Sequence, residues 1–193
     1  MKPRELVQAF RFCPLCGDAS FRPKPGDKSM LCAACGYEHF INSVLAAGVF
    51  VADPQGRLIL ICRSREPSKG KLGLPGGFSN PYESAETTAR REVREEINIE
   101  LGPLRYLTSY PNRYVYQGLV YPTADVFFSA DAVSLAPLKA LDDVQEIVFM
   151  APRAVAPEDL AFDSIRYALR CLLDLPTTDV NRSATRPSRR ATS

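Results

Sequence analysis

The stretch from Gly77 to Ile99, GFSNPYESAETTARREVREEINI, constrains the fold more than any other part of the chain. From about Ser84 to Ile97 it contains neither Gly nor Pro and is rich in Ala, Glu and Arg, which predicts a helix. Residues four apart lie in one row on a helix, and one such row is apolar. Its members are Ala85, Ala89, Val93 and Ile97. We expect this row to face the core, with the small alanines allowing close packing.

Three carboxylates lie beside the apolar row of this predicted helix. Glu92, Glu95 and Glu96 fall at the edge of the buried face. Like charges crowded where water screens them poorly repel each other. A hard divalent ion removes that cost, and magnesium typically binds a few carboxylates together with waters and substrate phosphates. The alternative interpretation is a solvated acidic helix whose glutamates pair with arginines.

A Gly-rich turn, Leu74-Pro75-Gly76-Gly77-Phe78, comes just before the helix. Such a turn is suited to bringing backbone carbonyls close to a metal ion or a phosphate. The turn and the helix together favour a metal-phosphate site over a solvated acidic helix, and most of that preference comes from the resemblance of the complete stretch to a known family motif.

The complete stretch resembles the Nudix box, Gly-x5-Glu-x7-Arg-Glu-U-x-Glu-Glu-x-Gly-U, in which U is a bulky aliphatic residue. Every fixed position matches except that Asn98 stands where the family has Gly. Asn tolerates a left-handed backbone better than most residues, so we expect the helix to end there. The resemblance implies an α+β Nudix fold, a mixed β-sheet sandwiched between helices, over residues 42–175.

The resemblance also implies an activity and a set of residue roles. Nudix enzymes hydrolyse the pyrophosphate of a nucleoside diphosphate linked to another moiety, with Mg²⁺ or Mn²⁺ as cofactor. By motif position, the metal ligands are the carboxylates of Glu92, Glu95 and Glu96, one of which can also accept the water's proton, and the carbonyl of Gly76. Arg91 would pair with Glu83 and hold the loop against the helix. The family can also place the general base on a distant loop, and Glu146 is a candidate unless it is a solvated loop acid.

Six cysteines are present, and four of them form two Cys-x-x-Cys-Gly knuckles separated by fifteen residues. These four are Cys13, Cys16, Cys32 and Cys35. The spacing is typical of a four-cysteine zinc ribbon, because two intervening residues let a tight turn present both thiolates to one tetrahedral ion. We therefore predict a zinc ribbon over residues 1–41, in preference to a redox dithiol or disulfides. So short a segment buries too little apolar surface to fold alone, and zinc binding supplies the missing stability.

Aliphatic and β-branched runs separated by turn residues predict the strands that flank the box helix. The predicted strands are Ser43 to Ala52, Arg57 to Cys62, Leu104 to Tyr110, Tyr114 to Tyr116, Tyr121 to Ala130 and Val144 to Met150. A closing helix is predicted from Asp163 to Leu173. Residues 176–193 contain almost nothing to bury, so we expect a disordered tail.

A ribbon ahead of a Nudix domain resembles the NADH, FAD and ADP-ribose pyrophosphatase group. The NADH subgroup carries a motif resembling SQPWPFPxS after the box, whereas this chain has TSYPNRYVYQ there and no tryptophan. Tyr110, Tyr114 and Tyr116 could stack on a base and Arg113 could bind a phosphate, or the tyrosines could be ordinary strand residues. The expected substrate is ADP-ribose-like or a dinucleotide such as NADH or FAD.

Charge and hydropathy exclude several other classes. The formal net charge is +2, and residues 176–193 carry four arginines against one aspartate, so the rest of the chain offers no basic face for nucleic acid. The longest apolar run is too short to span a bilayer, and the first ten residues lack the apolar core of a signal peptide, which favours a cytoplasmic protein without a membrane partner. A homodimer is expected from the family alone. The alternatives are a nucleotide-sensing module and an enzyme that clears damaged nucleoside triphosphates.

Overall fold

The computed structural model describes residues 3–26, 29–142 and 144–174. Within these ranges there are eleven β-strands and two α-helices, joined by turns and short 3-10 helices. The strands are β1 (Arg4–Glu5), β2 (Phe21–Pro23), β3 (Ser29–Cys32), β4 (Glu38–Phe40), β5 (Val44–Ala52), β6 (Leu58–Arg63), β7 (Leu72–Gly73), β8 (Gly76–Phe78), β9 (Arg105–Tyr116), β10 (Leu119–Asp131) and β11 (Val144–Met150). The helices are α1 (Ala85–Ile97) and α2 (Asp163–Asp174).

The larger sheet is mixed and has a helix packed on each face, as the resemblance implies. Its main path runs β1-β10-β5-β6-β11, while β7, β8 and β9 pair with β6, β5 and β10. Strand β5 is parallel to β10 and antiparallel to β6. Because side chains alternate along a strand, Val49 and Val51 pack with α1 whereas Phe50 packs with α2. The predicted α+β sandwich is therefore confirmed.

Helix α1 has the boundaries and the buried face that the sequence predicts. Ser84 is the N-cap, and its side chain accepts a hydrogen bond from the Thr87 amide. Ala89, Val93 and Ile97 are fully buried. Asn98 ends the helix in the left-handed conformation, with φ 55° and ψ 40°, which is the conformation for which a helix end favours Gly or Asn.

One strand is longer than the sequence predicts. Strand β9 runs without interruption from Arg105 to Tyr116, although the sequence suggests two strands on either side of Pro111. Pro111 lies opposite Ala124 of β10, and β10 is the strand that β9 pairs with. A proline is tolerated there because an edge strand has one side on which its missing N–H is not needed.

The N-terminal region forms a separate three-stranded sheet of β2, β3 and β4. Its small core contains Phe21 and Met30 together with two of the knuckle cysteines. Strand β1, which the sequence assigns to the ribbon, instead pairs in parallel with Leu119 and Val120 of β10. The predicted tail, residues 176–193, lies outside the described residues. No helix within the described part of the chain is both long enough and apolar enough to cross a bilayer.

The hairpin between β5 and β6 depends on a buried aspartate. Asp53 is 5% exposed and accepts hydrogen bonds from the backbone amides of Gln55 and Arg57 and from the Arg57 guanidinium at 2.8 Å. Burial acts to raise the pKa of Asp53, but the hydrogen bonds from Arg57 outweigh it and the pKa is lowered. We predict that Asp53→Asn lowers the free energy of unfolding by about 2 kcal/mol at pH 7, the scale of a lost bond to a charged group.

The pH dependence of the stability lost in Asp53→Asn provides a control. A group whose folded-state pKa is lowered contributes its stability above the unfolded-state pKa, and this stability disappears as the pH falls below about 4. Urea denaturation at pH 7 and pH 3 measures it. The difference between wild type and Asp53→Asn is expected to shrink at pH 3, and an unchanged difference would contradict the ionic origin of the effect.

Candidate active site

A cavity of about 480 Å³ opens where the Gly-rich turn, α1, β9, β10 and α2 come together. This volume lies within the range of about 300–1,000 Å³ that is usual for small-molecule sites. Its charged lining residues are Glu92, Glu96, Asp125, Asp142, Glu66, Arg63 and Arg65. Acidic, basic and aromatic groups therefore share one concave surface.

Arg91 is the centre of an ion-pair network on α1. It binds Glu83 through two nitrogens, at 2.8 and 2.9 Å, as the motif implies. Its Nη1 also donates to Glu92 at 2.6 Å and to Glu95 at 2.9 Å. The pKa of Glu83 is lowered to about 2, chiefly by the hydrogen bond from Arg91. The guanidinium thus holds the loop and orients two of the predicted metal ligands.

Glu96 is the most buried of the three glutamates and faces the Gly-rich turn. One oxygen of its carboxylate accepts a hydrogen bond from the Gly76 amide at 2.9 Å. Burial raises its pKa to about 8, and the nearby charges of Glu92 and Asp142 act in the same direction. The pKa of Glu92 is also raised, mainly by burial. These carboxylates are in surroundings that disfavour their charged forms unless a cation is close by.

In this structure the carboxylate oxygens of Glu92, Glu95 and Glu96 do not form one cluster of possible metal ligands. Within the described ranges, the four knuckle cysteines form such a cluster, and their sulfur atoms all lie within 4.8 Å of one another. The physical reason is that Glu92 and Glu95 are bonded to Arg91, while Glu96 is bonded to the turn. The hard oxygen chemistry of the glutamates still fits a divalent ion, and burial raises the pKa of both Glu92 and Glu96.

Some of the other candidate residues from the sequence line this cavity, and others do not. Gly76 and Tyr114 line it, whereas Glu95, Arg113 and Glu146 are not among its lining residues. The Glu95 side chain is 54% exposed. Arg113 forms an ion pair with Glu5 at 2.7 Å, because it points to the opposite side of β9 from Tyr114. Glu146 is exposed on β11, whereas Asp142, just before β11, lines the cavity.

Several lining residues were not predicted. Arg63 and Arg65 directly follow the apolar run of β6, and the only signal for them is that binding residues often come directly after a buried strand. Asp125 and Asn112 lie on β10 and β9, where nothing in their spacing identifies the face on which they lie. Their place at the cavity follows from the pairing of β9 with β10.

Aromatic side chains cover part of the same cavity. The Tyr114 ring meets Phe78 edge-on at 5.0 Å and lies 5.8 Å from Phe162 and 6.5 Å from Tyr116. All four rings line the cavity. Tyr110, on the same face of β9, instead contacts Tyr167 of α2 at 4.5 Å. Aromatic faces of this kind are able to stack on a nucleotide base.

The knuckle cysteines meet at one point with the geometry of a zinc centre. Cys13 Sγ lies 3.7 Å from Cys35 Sγ, and Cys16 Sγ lies 3.6 Å from Cys32 Sγ. Four ligands at a Zn–S distance of about 2.3 Å in a tetrahedron are separated by about 3.8 Å, so the spacing fits. The Cys35 backbone amide lowers the pKa of Cys32 to about 6, whereas the pKa values of Cys16 and Cys35 are raised, so one thiol of the metal-free cluster favours the thiolate.

Gly77 is a close neighbour of the Glu92 carboxylate. A Cβ atom at position 77 would lie 2.6 Å from the Glu92 carboxyl carbon, which is too close. We predict that Gly77→Ala moves this carboxylate and lowers kcat/KM about 10- to 100-fold, the cost of a misplaced catalytic group. The carboxylate is the far end of a flexible side chain, so it can shift and thermal stability should change little.

Gly102→Ala is the matched control, because its added Cβ would have a single neighbour at 3.4 Å, the Asp131 carbonyl oxygen. Steady-state kinetics and thermal melts of both variants make the test. Full activity of Gly77→Ala would mean that the position of the Glu92 carboxylate does not matter for the reaction.

The family follows from residues 42–171, which match the sequence model of the NUDIX domain. The chain belongs to the Nudix family. Solved Nudix structures share its fold. A NUDIX hydrolase from Nitrosomonas europaea has a TM-score of 0.64 at 23% identity, covering 83% of this chain and 89% of that one. The NUDIX domain of Shewanella oneidensis NrtR, solved with ADP ribose, has a TM-score of 0.59 at 22% identity, covering 71% and 91%.

Curated Nudix relatives are similar in sequence to this chain over about half of its length. The NAD-capped RNA hydrolase NudC of Stutzerimonas stutzeri is 33% identical over 103 residues, which are 53% of this chain and 36% of that protein. NudC of Enterobacter sp. (strain 638) is 31% identical over 107 residues, 55% of this chain and 40% of that protein. The similarity therefore spans well under half the length of these relatives.

Proposed function

We propose that this Nudix chain is a metal-dependent pyrophosphohydrolase acting on a dinucleotide or on another nucleoside diphosphate linked to a second moiety. The observation that carries the proposal is the composition of one cavity. Glu92 and Glu96 line it together with Arg63, Arg65 and the four aromatic rings. Carboxylates suit a divalent ion, arginines suit phosphates and aromatic rings suit a base, which are the three parts of such a substrate.

The metal would be Mg²⁺ or Mn²⁺, held by Glu92, Glu95, Glu96 and the Gly76 carbonyl. When bound, such an ion neutralises phosphate oxygens and lowers the pKa of a coordinated water. Glu95 would join Glu92 and Glu96 as a ligand by giving up its solvent-exposed ion pair with Arg91 and binding the ion instead. Arg91 keeps the turn and the helix together through Glu83, which positions the ligands without touching the reacting atoms.

The remaining residues bind the substrate and move one proton. Arg63 and Arg65 would attract the pyrophosphate oxygens, while Tyr114 and its aromatic neighbours would hold a base. Water attacks one phosphorus atom, the bridging P–O bond breaks, and a carboxylate accepts the water's proton. Glu92 and Glu96 are the candidates for that acceptor from the box. Asp142, which lines the cavity, is a candidate beside Glu146, which lies on β11 and does not line it.

The four knuckle cysteines would hold a structural Zn²⁺ ion rather than take part in the chemistry. None of them lines the cavity. Their thiol chemistry suits zinc, and zinc centres with four cysteine ligands have no open position for a substrate.

Incubation of purified protein with Mg²⁺ or Mn²⁺ and a panel of nucleotides tests the proposal. The panel contains NAD⁺, NADH, ADP-ribose, FAD, a dinucleoside polyphosphate, nucleoside triphosphates and NAD-capped RNA, the last because the NudC relatives are named for it. Chromatography should detect two monophosphate products from a dinucleotide. Nucleotide binding without any cleavage would instead support a sensing module, and cleavage of triphosphates alone would support clearance of damaged nucleotides.

A further inference from the structure

A buried acid at the cavity lies outside the Nudix box and has no place in the mechanism proposed above. Asp125 is 9% exposed and lines the cavity. Its carboxylate accepts hydrogen bonds from the Thr123 hydroxyl at 2.6 Å, the Ser164 hydroxyl at 2.7 Å and the Asn112 amide at 3.0 Å. Thr123 and Ser164 are themselves 2% and 0% exposed. Asp125 therefore belongs to a hydrogen-bonded polar cluster that joins β9, β10 and α2.

These donors leave the carboxylate incompletely bonded. A carboxylate offers about four acceptor sites, and the structure shows three donors to Asp125, all of them neutral. Oδ2 accepts two of the bonds and Oδ1 accepts one. Burying a carboxylate without neutralising it is costly, so a further donor is favourable. Because Asp125 lines the cavity, a bound ligand is in a position to supply that donor.

We propose that Asp125 is a specificity residue that accepts a hydrogen bond from an amino group on a base of the bound dinucleotide. The inference rests on the proposed function. Both bases of a nicotinamide adenine dinucleotide carry such a group, the exocyclic amine of adenine and the carboxamide of nicotinamide. A carboxylate only accepts hydrogen bonds, so it also rejects a base that presents a carbonyl or carboxylate at the same place.

A purely structural role for Asp125 makes a different prediction. If the cluster served only to join β9, β10 and α2, a substitution would lower stability and reduce activity on every substrate alike. A specificity residue instead changes the ratio of activities between substrates that differ in one amino group. The ratio of kcat/KM values is therefore the decisive quantity.

The test compares NAD⁺ with two analogues, nicotinamide hypoxanthine dinucleotide and nicotinic acid adenine dinucleotide. The first replaces the adenine amine by a carbonyl, and the second replaces the carboxamide by a carboxylate. Wild-type protein should cleave NAD⁺ about 10- to 100-fold more efficiently than one of the analogues, the range expected for one hydrogen bond to a charged group. The disfavoured analogue identifies the base that Asp125 contacts.

Asp125→Asn should reduce that preference at least about tenfold, because an amide can turn its own N–H₂ toward the new acceptor. Asp125→Glu is a second variant that keeps the charge but displaces the oxygens, and the same loss is expected. Thr123→Val is the matched control, since it removes a donor to Asp125 but keeps the carboxylate, and it should retain the preference.

Equal kcat/KM values for all three dinucleotides in wild-type protein, or a preference that survives both Asp125 variants, would overturn the inference and leave the proposed function standing. Calorimetry without added metal measures binding separately from cleavage. Absence of both binding and cleavage for the three dinucleotides would overturn the inference together with the dinucleotide part of the proposed function.

Discussion

Glu96→Gln is expected to lower kcat/KM for the cleaved nucleotide by at least about 100-fold, the scale of losing one group that stabilises transition-state charge. Gln has nearly the same shape and can still accept the hydrogen bond from the Gly76 amide. It lacks the negative charge that a divalent ion requires, so metal binding and the reaction should fail together. Kinetics at several Mg²⁺ concentrations, with circular dichroism to check folding, measure the effect.

Glu86→Gln is the matched control on the same helix. Glu86 is exposed in the first turn of α1 and does not line the cavity, so its loss should leave kcat/KM unchanged. Near wild-type activity of Glu96→Gln would remove Glu96 from the proposed metal ligands.

The same substitution should have the opposite effect on the stability of metal-free protein. Burial raises the folded-state pKa of Glu96 to about 8 from an ordinary value of 4.5, so the folded state disfavours the charged form. Wild-type protein should therefore lose stability relative to Glu96→Gln as the pH rises from about 4.5 to 8, with no further change above that range. Residues needed for catalysis often lower the folding stability of an enzyme relative to its inactive variant. Denaturation of zinc-containing protein with no Mg²⁺ or Mn²⁺ added, at several pH values, makes the measurement.

Removal of zinc is expected to unfold the ribbon. Metal analysis should find one zinc ion per chain, and a strong chelator should make residues 3–41 accessible to limited proteolysis. Structural zinc supplies roughly 10–16 kcal/mol of apparent binding energy in comparable small domains. The ribbon core consists of Phe21, Met30 and two of the cysteines, with four partly buried hydrophobic side chains packed against it, and so small a core is no comparable substitute for this energy.

Cys32→Ser should reproduce the effect of the chelator, because it removes one of the buried ligands of the cluster. Cys171→Ser is the matched control, since Cys171 lies on α2 and outside the group of possible metal ligands. Protein prepared without chelators that contains no zinc but keeps a protease-resistant ribbon would contradict the assignment.

Local spacing in the sequence was sufficient to predict the box helix and the cysteine cluster. The apolar row of α1 depends on residues within a few helical turns, whereas its end at Asn98 and the ion pair between Arg91 and Glu83 were expected from the resemblance to the Nudix box. The two knuckles depend likewise on short turns, and Gly17 and Gly36 have the positive φ angles that such turns need. Interactions over so few residues are determined by helix and turn geometry, which is why spacing reveals them.

Tertiary structure alone decided which distant side chains meet at the cavity. The register of β9 against β10 directs Tyr114 and Asn112 inward and leaves Arg113 to pair with Glu5. A shift of one residue would exchange these faces, and the sequence around Pro111 suggests two short strands instead of one. The positions of Arg63, Asp125 and Asp142 depend in the same way on strand order and packing across the sheet. Such contacts join residues far apart in the chain, so no local pattern records them.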